Sequence, residues 1–138
     1  MKTIEIIKDL TEKAVKLNRK ENRIIKTWPI GKVVRQGDVY IHRVADDHPV
    51  GDMLDIRKIA DGTSIGSRHI LIGDVKVYQG VKLPSYVNNR WPLGYAFDVG
   101  KEGMTITHPE HAHIDTCVKG RYVVTHQMDM QTMQRVSD

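Results

Sequence analysis

From Trp28 to Met128 the chain runs as short stretches rich in Val, Ile, Thr and Tyr, each closed by a Gly, Asp, Asn or Pro turn. No segment of helical period separates them, and that absence is the tightest constraint on the fold. A doubly wound sheet needs a helix between successive parallel strands, whereas short strands joined by tight turns pair antiparallel. The chain is therefore expected to be mainly β, a small antiparallel barrel or sandwich of seven or eight strands. At 138 residues it is long enough to bury one hydrophobic core.

In KVVRQGDVYIHRVA, two short strands flank a turn or bulge at Gly37 and Asp38. Val39, Ile41 and Arg43 alternate there with Tyr40, His42 and Val44, which puts the two sets on opposite faces. His42 is assigned to the polar face, as a surface residue. MLDIRKIA fits a strand or a helical turn equally. HILIGDVKVYQG reads as a hairpin of residues 69–72 and 75–78 joined at Gly73 and Asp74. LPSYVNNRWPLG reads as a loop laid over one end of the barrel, with Tyr86, Arg90 and Trp91 available for contacts. Residues 95–99 and 104–107 are read as strands with a turn at 100–103, and residues 113–118 and 121–128 as a last hairpin. The polar tail carries Met130, Met133 and Val136 at helical spacing, which fits a short helix or a frayed end.

Residues 3 to about 20 have a different period. Ile6 or Ile7, Leu10, Ala14 and Leu17 recur every three to four residues, the mark of an amphipathic helix, and Thr3 is placed to cap it. This gives two regions, a basic helix within residues 1–26 and a β-rich domain over 27–138. Eight Lys/Arg against four acids in residues 1–26 account for the whole formal charge of +4. Any preference for an acidic partner thus belongs to that arm: a protein partner, a second copy of the chain, or a nucleic-acid backbone. No aromatic residue interleaves with its lysines, so a stacking platform for single-stranded nucleic acid is missing. No apolar run is long enough to span a bilayer, and no secretory leader is recognisable. Cys117 is the sole cysteine, expected as a buried, inert thiol on a strand. The expected location is the cytoplasm, or a virion.

Chemistry concentrates in TITHPEHAHID, residues 105–115, which holds three of the seven histidines together with Glu110 and Asp115. An extended run from residue 112 would turn His111, His113 and Asp115 to one face and Ala112 and Ile114 to the core. His69, His108 or His126 would supply a further ligand from a neighbouring strand. Such His and carboxylate donors suit a divalent transition metal such as zinc, with Glu110 as general base toward a bound water. The same imidazoles also suit metal-free acid–base cleavage of RNA. Pro109 argues for a loop at 108–111 and against a helical zinc motif, and the cupin signature is missing. Phosphate-binding loops and a nucleophilic serine elbow are absent as well.

RQGDVYIHRV at 35–44, THPEH at 107–111, GRYVVTHQ at 120–127 and the closing RVSD at 135–138 together resemble a family of small bacterial and phage proteins with no assigned activity. In that family an RQGDV opening strand and a later THxEH segment recur in this order, and the resemblance covers residues 34–138. The family pattern also carries a central Gly-His-x-His element, which falls here on Gly66, Ser67, Arg68 and His69. The resemblance implies that His69, His108, Glu110 and His111 share a site, with one ligand position replaced by Ser67. The expected function is a histidine-lined site formed by His69, His108, His111 and His113 that binds a transition metal and is hydrolytic. The alternative is a non-enzymatic interaction protein, a phage virion or assembly component or a nucleic-acid-associated protein, acting through residues 1–26.

Overall fold

The computed structural model describes residues 22–61, 69–87, 91–129 and 134–135, so the helix expected over residues 3 to about 20 lies outside the described residues. The first described element is a strand, β1 (Arg23–Ile25). It is followed by β2 (Val33–Gln36), β3 (Val39–Val44), β4 (Val50–Leu54), β5 (Ile70–Gly80), β6 (Leu93–Thr107), β7 (Ile114–Thr116) and β8 (Gly120–His126). The chain is mainly β, as expected, and its principal sheet curls into a half-barrel. Met128–Asp129 (β9) and Gln134–Arg135 (β10) pair as a small separate ribbon, where the sequence suggested a helix or a frayed end.

The spine is β6. Its first half pairs with β8 and its second half with β7, while β5 runs along its other edge. The order β1-β7-β6-β8-β3-β2, with β4 outside β5, is antiparallel except for the parallel β1/β7 pair. Residues 113–128 are therefore no hairpin, because β7 and β8 lie side by side on the same edge of β6.

Two expected turns are kinks within long strands. Gly73 has φ +120° and Gly103 has φ +77°, and a Cβ on Gly73 would lie 2.6 Å from the Gly103 carbonyl oxygen. Only glycine permits that backbone geometry and that approach, so β5 bulges and continues instead of turning back.

The curl encloses one core. Trp28, Ile41, Phe97, Ile106, Ile114, Tyr122 and Val124 are all buried in it. Phe97 stacks on Tyr122 at 5.2 Å, and Trp28 meets Tyr122 edge-on at 4.8 Å. Removing each such side chain from water contributes about 1.5–3 kcal/mol. The alternation read for residues 39–44 holds, with Val39 and Ile41 in this core and Val44 in a smaller cluster with Ala96 and Val123. His42 departs from the expectation, being 3% exposed, because Tyr86 folds back over the outer face. Cys117 departs in the other direction and is exposed.

Candidate histidine centre

At one end of the core, polar groups replace apolar ones. The β2–β3 turn contributes Gln36 and Asp38, the approach to β5 contributes His69, and the bend after β6 contributes His108. All four are buried. Gln36 anchors the group, since its Nε2 donates to the carbonyls of Ile106 and Ala112, each at 3.0 Å. That fixes the amide orientation and leaves Oε1 as the acceptor facing His69 Nδ1 at 2.9 Å. On the opposite side of the same ring, His69 Nε2 lies 3.0 Å from Asp38 Oδ1.

Both nitrogens of His69 thus face acceptors. The two bonds are satisfied together only if each nitrogen carries a proton, or if Asp38 carries the second one. Burial alone would raise the Asp38 carboxyl, but the His69 hydrogen bond and the charges of His69 and His126 outweigh it. Together with its own backbone N–H they hold Asp38 below the usual carboxylate range. The arrangement is a buried imidazole–carboxylate pair in which both ring nitrogens face acceptors.

His108 is held in the opposite sense. Pro109 bends the chain so that the backbone N–H groups of Glu110 and His111 donate to His108 Nδ1 at 3.0 and 3.2 Å. A ring accepting at Nδ1 is neutral and carries its proton on Nε2. The His69 and His108 ring centroids are 4.7 Å apart, and those of His108 and His111 are 4.4 Å apart. Of the imidazoles expected at the site, His108 therefore lies beside both His69 and His111. Glu110 has an exposed side chain and enters through its backbone N–H. His113 is half-buried, and its carbonyl accepts from Arg23 N–H at 2.8 Å, which ties β1 to the site. Regular pairing starts only at Ile114, so strand alternation does not set the direction of His111 and His113.

Among the described residues, no group of three or more His, Cys, Asp or Glu side chains is arranged to hold a metal ion. The hydrogen bonds give the reason. A ligating imidazole normally donates its other N–H to an acceptor, whereas the second nitrogen of His108 accepts. Both nitrogens of His69 are likewise engaged, by Gln36 Oε1 and Asp38 Oδ1, so the ring presents no lone pair to an ion in this arrangement.

His126 is buried at 3% exposure and borders the centre from β8. It lines a cleft of about 230 Å³ with Asp61, Gln79, Gly94 and Tyr95. Tyr95 Oη donates to Asp61 Oδ1 at 2.6 Å at the mouth. A side chain at Gly94 would come within 3.0 Å of His126 Nε2, so glycine there keeps the ring accessible from the cleft.

The sequence reading missed Gln36 and Asp38, which were taken as ordinary strand and turn residues. The available signal was their place inside RQGDV. Comparison of the chain with protein-family models, with curated proteins and with solved structures found no match.

Proposed function

We propose that the chain is a small half-barrel hydrolase whose centre works by proton transfer. His69 and Asp38 form its charged pair, and His126 is the imidazole that meets a small polar substrate in the cleft. The observation carrying this reading is His69, whose two ring nitrogens face Gln36 Oε1 and Asp38 Oδ1 at 2.9 and 3.0 Å in the protein interior. Asp38, oriented by His69, also feels the charge of His126, and a carboxylate near an imidazole favours its protonated form, the form that serves as a general acid. The segments behind the family resemblance support the same centre. RQGDV supplies Gln36 and Asp38, THPEH supplies His108 and His111, and GRYVVTHQ supplies His126.

A second reading is a divalent transition-metal site of the zinc type on His69, His108, His111 and His113, with Glu110 as base. The ring spacings of 4.4 and 4.7 Å favour it. It requires His69 to leave Asp38 and His108 to release the two backbone N–H groups.

The test is turnover of a panel of nitrophenyl esters and phosphoesters by untagged protein, with and without chelator. Chelator-resistant turnover that falls at least a hundredfold in His126→Gln supports proton transfer. Turnover abolished by chelator and restored by zinc supports the metal reading, and no turnover of any substrate refutes both.

A further inference from the structure

A second concave site lies on the outer face of the sheet, away from the histidine centre. Val33, Tyr40, His42, Tyr86, Val87 and Trp91 line a cavity of about 360 Å³. Val33 pairs with His42 and Arg35 with Tyr40 across β2 and β3, so these four side chains share that face.

Its aromatic walls are fixed from behind. Tyr86 is 55% exposed, yet its hydroxyl is pinned to His42 Nδ1 at 2.8 Å. His42 is in turn held through Nε2 by Thr125 Oγ1 at 2.8 Å. Opposite, Tyr40 packs on Trp91 with centroids 5.2 Å apart, and the Arg35 guanidinium lies 5.5 Å from the centre of the Tyr40 ring. Arg35 is itself anchored on the Gly37 carbonyl and on Gln127 Oε1. Preformed, mostly apolar cavities with a few fixed polar groups are the usual form of small-molecule sites.

We propose that this cavity binds a small molecule through a flat, uncharged aromatic system of one or two fused rings. Size supports this, since a cavity of about 150 Å³ suffices for benzene. Charge supports it as well. Among the described residues the lining holds no carboxylate and no lysine, and both nitrogens of His42 are engaged with hydroxyls. An aromatic cage can also take a quaternary ammonium, but the fixed positive charge of Arg35 beside Tyr40 opposes a cation here. Offset stacking and edge contacts on Tyr40, Tyr86 and Trp91 would supply the affinity.

The experiment is titration of ¹⁵N-labelled full-length protein with indole, following the Trp91 side-chain N–H resonance, and in parallel with tetramethylammonium. The expected result is a saturable shift with indole and none with tetramethylammonium. Binding should weaken at least tenfold in Val33→Trp, which fills the cavity from an already exposed position, and stay within twofold in His108→Ala. A shift that does not saturate, indole binding that survives Val33→Trp, or preferential saturation by tetramethylammonium overturns the proposal.

Discussion

His42 and His69 are equally buried, at 3% exposure each, and each has both ring nitrogens hydrogen-bonded, but the groups facing them differ. The partners of His42 are the hydroxyls of Tyr86 and Thr125, which can donate or accept, so a neutral ring satisfies both. Burial then pushes its pKa down to about 4. The partners of His69 are an amide oxygen and a carboxylate, which only accept. Depth of burial does not set the charge of a buried imidazole. The chemistry of the two groups facing it does, and in this chain the ring between hydroxyls floors an apolar cavity while the ring between acceptors forms a polar centre.

The largest expected effect of a single substitution comes from removing the carboxylate. Asp38→Asn replaces the carboxylate facing His69 by a neutral amide and should cost about 1.5–3 kcal/mol, the range of a hydrogen bond to a charged group, measured as the loss in urea unfolding free energy. A loss below about 1 kcal/mol would mean that the pair is not charged, and the contrast with His42 would disappear.

Acid titration separates the two histidines next. His42 has a folded pKa near 4, below the ordinary 6.5, so the unfolded chain binds more protons between those values. Its contribution is complete above pH 6.5 and is lost as pH falls toward 4, on the order of 3 kcal/mol in all. The lowered carboxyl of Asp38 acts further down. Its contribution is present above the ordinary carboxyl value of 3.8 and is lost as pH falls through the lower folded value. Stability measured from pH 7.5 to 4 should decline in the native protein and much less in His42→Gln. Equal slopes would show that His42 is not held neutral.

The smallest effect is that of Tyr86→Phe, which deletes one hydroxyl partner of His42 and should cost about 1 kcal/mol. Thermal unfolding at pH 7.5 reads it, and the same change should loosen one wall of the outer cavity. No loss would mean that the hydroxyl does not hold the imidazole.

Local patterns were legible in the sequence, and non-local contacts were not. Alternation through Val39, Ile41 and Val44 assigned the faces of β3, because a period of two is a property of the strand alone. Gly73 with Asp74 could mark a hairpin turn or a bulge, and only the close approach of Gly103 from β6 decides for the bulge. His42 looked like a surface residue because its cover arrives 44 positions later in Tyr86. The histidines of THPEH stood out by density, but Gln36 and Asp38 did not, since their role depends on carbonyls and an imidazole contributed from distant segments. The placement of β7 and β8 on one edge of β6 was likewise invisible, because short strands next to each other in sequence usually pair.

The most direct test of the charge assignment is the imidazole ¹⁵N spectrum of the folded protein at pH 7. It should show both ring nitrogens of His69 protonated and one nitrogen of His42 unprotonated. A neutral His69 with a protonated Asp38, or two histidines with matching nitrogen shifts, would contradict it.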